Sequence, residues 1–92
     1  MTKIKIDFLI WDEVNLNHIK KHSVSKTEIE NAVSDFIYHE HTYSGRYLIV
    51  GETGKRILSV VVSRKSLKTY YVVTARSASK KEREKINEKQ NI

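Results

Sequence analysis

Two histidines four residues apart, His18 and His22, and a set of cations beginning at Arg76 supply the side chains from which metal-free cleavage of RNA can be built. Such a reaction needs a base to activate the 2′-hydroxyl, an acid for the leaving oxygen, and cations around a crowded phosphorane-like transition state. Imidazole titrates near neutrality and suits the first two tasks; Arg or Lys suits the third. On a helical wheel at about 100° per residue, Trp11, Asn15, His18 and His22 share one narrow arc flanked by Val14 and Ile19. Glu13, Asn17, Lys20 and Lys21 take the opposite side. The pattern predicts an inward polar stripe, which is either a satisfied buried network or the wall of a cleft. HIKKH at 18–22 lacks the Glu that follows the first His of a zinc protease, and His39 with His41 fixes no third ligand, so neither metal nor cofactor is expected.

The cations gather at the other end of the chain. Arg76 closes the last predicted strand, and Lys80, Lys81 and Arg83 open the helix that follows. Free backbone N–H groups and partial positive charge at a helix start make cations there unfavourable unless an anion uses both, which predicts a phosphate site. Glu82 and Glu84 temper that reading, because acids in a first turn suit the dipole. Arg46, Arg56 and Arg64 extend the basic patch across neighbouring strands. Tyr70 and Tyr71 point to opposite faces, with Tyr71 read as core and its neighbour left to stack a base. No Ser-His-Asp order, glycine-rich phosphate loop or paired carboxylates compete with this chemistry.

The elements that must position these groups read clearly. KIKIDFLI at 3–10 is a strand with one wet face, and Asp12 caps a helix running to His22. Ser25 with Glu28 spells a capping box for a second helix ending near Ser34. A weak strand spans 36–43, SG at 44–45 turns into RYLIVGE, TGK at 53–55 turns into RILSVVVSR, and RKSLK leads to TYYVVTAR. This predicts an α+β fold: two helices on an antiparallel meander of about four strands, plus the N-terminal strand and a basic C-terminal helix. Gly51 lies inside a strand and marks a bulge or a close backbone approach. Ser79 with Glu82 caps the last helix, in which Ile86 is the one aliphatic residue; with no apolar face, that helix is expected to serve solubility, a partner or an anion. KQNI at the end reads as frayed.

Ninety-two residues with 39% hydrophobic side chains suit one folded domain over 1–92 and exclude a disordered tail. No cysteine is present, so disulfide frameworks and thiolate metal sites are excluded and a reducing, cytoplasmic setting fits best. Neither ILSVVV at 57–62 nor the N-terminus targets a membrane. Residues 1–54 hold six basic against eight acidic side chains, and residues 55–92 eleven against three, within a net charge of +6. Segregation of that kind is the footprint of a polyanion or an acidic protein partner, or of a solvated surface.

Three blocks, WDEVNLNHIKKHSV at 11–24, GRYLIVGETGKRILSVVVS at 45–63 and YYVVTARSASKKERE at 70–84, together resemble the BrnT-like toxins, RelE-related ribonucleases of type II toxin–antitoxin pairs. The resemblance implies RNA as substrate, a cognate antitoxin as partner, and operator DNA bound only through that antitoxin. It matches Trp11, Asp12, His18, His22, Arg46, Arg76 and Arg83 to the family pattern. The chain departs from that pattern at Ser23, where the family usually has Gly, and at Ile86, where it commonly has Tyr. The expected site therefore has His18, His22, Arg76 and Arg83 as catalytic groups and Arg46, Arg64, Lys80 and Lys81 as RNA-binding groups. The rival from another class is a non-catalytic basic module that docks nucleic acid or an acidic protein, and oligomeric state is not legible.

Overall fold

A computed structural model describes residues 4–42, 44–54 and 56–90. A short strand, β1 (Phe8–Ile10), passes directly to helix α1 (Glu13–Lys21) because Asp12 holds an extended backbone and takes the N-cap. The Asn15 N–H donates to the Asp12 carboxylate at 3.0 Å, and the Asp12 N–H donates to Asn15 Oδ1 at 2.8 Å. Asn15 Nδ2 donates to the Ile10 carbonyl at 2.8 Å, so the buried amide of the predicted stripe is a satisfied tie between strand and helix. At the other end, Val24 N–H donates to the Ile19 carbonyl and Ser23 N–H to the Lys20 carbonyl, a Schellman closure with Ser23 at φ 58°. Helix α2 (Lys26–Ser34) starts on the predicted Ser25–Glu28 capping box.

Strands β2 (Tyr38–His41), β3 (Arg46–Thr53), β4 (Arg56–Ser66) and β5 (Thr69–Ser77) form the expected antiparallel meander, and helix α3 (Lys80–Gln90) closes the fold. The sheet order is β1-β5-β4-β3-β2, with β1 parallel to β5 at the edge. Of the strand expected over 3–10, only Phe8–Ile10 pairs, and residues 1–3 lie outside the described residues. The weak strand expected over 36–43 is shorter, and Tyr43 falls outside the described residues, as do Lys55 of the TGK turn and the last two residues of KQNI.

The sheet's two faces differ in cover. One face packs under α1 and α2, where Ile19, Ile29, Ala32, Ile49, Val60 and Val72 are buried together. Gly51 is the close approach anticipated: a Cβ there would stand 1.9 Å from the Ala32 carbonyl oxygen. On the other face α3 seats Ile86 against Tyr38 and Val50. The last helix is therefore docked on the sheet, contrary to the expectation for a segment without an apolar face; one aliphatic anchor plus polar ties suffices. Cross-strand rows place Glu40, Leu48, Val61 and Thr74, then Arg46, Ser63, Tyr71 and Ile10, on this same face, and all are half-buried or exposed. Among the described residues, the α3 side of the sheet is thus covered at one end and open over the rest.

The tyrosine assignment reverses. Tyr70 is the buried residue, 1% exposed beneath the helices, while Tyr71 is half-buried on the open face and donates its hydroxyl to the Asp12 carboxylate at 3.0 Å. A register shift between Val61 and Val62 inserts one residue in β5 between Val72 and Thr74. Alternation counted back from Ala75 without that bulge puts the wrong tyrosine in the core.

Candidate nucleic-acid interface

At the C-terminal end of β5, Arg76 projects toward α3 and meets Glu82 in a two-pronged ion pair, Nη1 to Oε1 at 2.9 Å and Nη2 to Oε2 at 3.0 Å. Glu82 can do this because the Ser79–Glu82 capping box turns its carboxylate back over the helix start, where Oε1 accepts the Ser79 N–H at 2.8 Å. The buried Ser59 hydroxyl on β4, opposite Arg76 in the ladder, donates to the same oxygen at 2.6 Å. Burial alone would raise the Glu82 carboxyl, but the Arg76 fork, the Ser59 hydroxyl and the Ser79 N–H outweigh it and hold the pKa at about 2. The hydrogen bond to Glu82 pushes Arg76 up, against the opposing effect of burial. The fixed guanidinium remains half-exposed and borders the open part of the sheet.

The cap also revises the phosphate site expected at the start of α3. The N–H groups of Ser79 and Glu82 are already engaged, and the helix start is neutralised by its own carboxylate. Lys80, Lys81 and Arg83 are exposed there. Lys81 lines a cleft of about 280 Å³ with Glu40, Leu48, Ser79, Glu82 and Lys85, in which the Lys85 ammonium contacts the Glu40 carboxylate. Glu40 thus lies on the same face as Arg76, in the adjacent cross-strand row but three strands away on β2, in a strand whose sequence signalled only His and Tyr. Its partner Lys85 is 45 residues distant in the chain, so no local spacing announces the pair.

Arg46 begins β3 opposite Ser63 and joins the open face as predicted. Arg64 does not: it pairs in register with Tyr70, whose side chain belongs to the helix-covered face, so the two cations point away from one another across the sheet. Arg56 lies on that helix-covered side as well and is a staple. Its Nη1 donates to the Ser23 carbonyl at 2.9 Å and to Glu28, and its Nη2 to Ser77 Oγ at 2.8 Å. Arg83 lines a separate cleft with Arg56, Ile57, Ser77 and Ala78.

The histidines correct the helical-wheel expectation. His18 and His22 are exposed, with ring centroids 5.7 Å apart. Only Asn15 and Ile19 of α1 are buried, so the covered arc of the helix is narrower than the stripe and leaves both imidazoles outside it. Arg56 brings the end of α1 to the end of β5 through Ser23 and Ser77, but from the helix side, whereas Arg76 faces α3. The two groups therefore share one end of the molecule and stand on opposite faces of the sheet. Trp11, the other aromatic of the stripe, packs partly buried against the core with the Lys26 ammonium 5.8 Å from its ring. Its neighbour Asp12 is held below the usual carboxylate range by the Asn15 N–H, against burial and with help from the Tyr71 hydroxyl.

No protein-family model matches the chain, and no curated protein matches it. Among solved structures it is similar to the crystal structure of the ribonuclease toxin BrnT from Brucella abortus. The two are 26% identical, with a TM-score of 0.59, over 85% of this chain and 100% of that one. Three helices with a five-stranded mixed sheet are the fold they share.

Proposed function

We propose, on the premise that this chain is BrnT-like in fold and in sequence, that it is the toxin of a type II toxin–antitoxin pair and an endoribonuclease acting in the cytoplasm. RNA lies on the open part of the sheet beside α3. The observation that carries this reading is Arg76, a guanidinium fixed by Glu82 and Ser59 yet half-exposed at the edge of that face. Arg76, Arg46 and Lys81 hold phosphates, and Glu40, which lines the α3 cleft with Lys81 and pairs with Lys85, is a carboxylate on that face able to move a proton from the 2′-hydroxyl. Charge stabilisation comes from side chains, so cleavage needs no metal. His18 and His22 would reach the same phosphate only if the strand of RNA wrapped around the end of the sheet. A cognate antitoxin neutralises the toxin, and operator DNA is met through it.

Purified protein incubated with RNA in excess EDTA should yield discrete fragments. Arg76→Ala and Glu40→Gln should each reduce the rate about 100-fold, and His22→Ala should leave most of it. Loss in the histidine variant with full activity in Glu40→Gln would return proton transfer to α1. A second reading, a binding module without catalysis, draws on Phe8, 67% exposed, and Ile10, which alternate with core-facing Leu9 and add apolar surface that suits a protein partner. That reading predicts salt-sensitive binding and no fragments.

A further inference from the structure

We propose that Glu82 is a positioning residue: it occupies the Nη1/Nη2 end of Arg76 so that the Nε/Nη2 edge of the guanidinium is presented to a substrate phosphate. Arginine carries five N–H donors in a rigid plane and can offer an anion either its end or its side. In this protein the end is taken. Nη1 donates to Glu82 Oε1 and, at 3.1 Å, to the Ser77 carbonyl, while Nη2 donates once, to Glu82 Oε2. Among the described residues, Nε–H and the second Nη2–H have no acceptor, and those two hydrogens lie on one edge. The side chain is 47% exposed against 14% for Glu82, so the guanidinium keeps accessible surface although its end is engaged by a largely covered carboxylate.

The carboxylate is itself held from several sides, which is what a positioning group requires. Ser59, 1% exposed on β4, and the Ser79 N–H hold Oε1, and the Tyr38 hydroxyl donates to the Glu82 carbonyl at 3.3 Å. Three elements thus fix the orientation of one guanidinium. A phosphodiester approaching over the open sheet meets two parallel N–H groups on the Nε edge, the arrangement that matches a pair of phosphate oxygens.

The inference rests on the ribonuclease reading, and its experiment separates the two. Glu82→Gln removes charge with little change in shape; it frees the guanidinium to swing and makes its surroundings more positive. Its kcat should fall about 10- to 100-fold while KM stays level or drops, because loose electrostatic attraction survives and orientation does not. A purely structural role would lower activity through the folded fraction, and Ile86→Ala, which removes the apolar anchor of α3 without touching the fork, calibrates that loss. The spectroscopic arm uses the 15N–1H resonance of Arg76 Nε and a 2′-O-methyl RNA oligomer that cannot be cleaved. In wild type and in Ile86→Ala the resonance should shift on titration; in Glu82→Gln it should be broadened and fail to shift. No cleavage by wild type with an intact Nε shift would sink the ribonuclease reading and leave the positioning role standing. An unmoved Nε resonance in wild type, or parallel changes in kcat and KM for Glu82→Gln, would overturn the role itself.

Discussion

Ser23 is the residue at which the chain departs from the pattern of the toxins it resembles with a physical consequence that can be measured. Its φ of 58° is left-handed, and the Schellman closure at the end of α1 requires that geometry whatever side chain is present. A non-glycine residue in that region carries strain of about 1–2 kcal/mol. Glycine removes the strain but costs about 0.5–1 kcal/mol in unfolded-chain entropy. The Arg56 contact uses the Ser23 carbonyl and survives the change. Ser23→Gly should therefore stabilise the fold by about 0.5–1 kcal/mol in urea unfolding. A decrease in stability would show that the serine side chain contributes more than its backbone geometry costs. The other departure, Ile86, is 5% exposed between α3 and the sheet, so an aliphatic side chain at that position serves to seat the helix.

Helix α3 illustrates what local sequence can and cannot announce about an element. Ser79 and Glu82 are three residues apart, so their capping box was legible, as was that of Ser25 and Glu28. The Arg76 and Ser59 bonds to the same carboxylate depend on the strand register of β4 and β5 and have no spacing signature. For that reason a helix with a single buried aliphatic residue read as undocked. The histidine stripe failed for the complementary reason: periodicity ranks positions around α1 but does not show how wide an arc the sheet covers, and only Asn15 and Ile19 are buried. Glu82 also gives the element a pH signature. Its folded pKa of about 2 lies below the ordinary 4.5, so the unfolded chain binds its proton first. The stabilisation is full above pH 4.5 and is lost as pH falls toward 2. Because Arg76 is half-exposed and screened, the contribution is on the order of 2 kcal/mol. The stability difference between wild type and Glu82→Gln should shrink as denaturation is repeated from pH 6 toward pH 3, and a constant difference would remove the latch from the account of α3.

Across the whole molecule the charge asymmetry read from the sequence is real, but the sheet divides it. The basic half of the chain does not make one continuous patch, because alternation sends Arg46 and Arg76 to the α3 side and Arg64 and Arg56 to the helix-covered side, where Arg56 is consumed in tying Ser23, Glu28 and Ser77 together. Only the first group borders the open face proposed for RNA. Single-strand binding releases about 0.7 counterions per neutralised phosphate, so three contacts from Arg76, Arg46 and Lys81 predict a slope of about −2 in log K against log salt. Arg46→Ala and Lys81→Ala should each flatten that slope by about 0.7, weakening binding most at low salt. Arg64→Ala removes the same unit of charge from the same chain and should leave the slope within error, because its side chain is on the face opposite the substrate. Equal flattening by Arg46→Ala and Arg64→Ala, measured by fluorescence anisotropy over a salt series, would mean that net charge rather than the open α3-side face governs binding, and the site placed there would lose its footing.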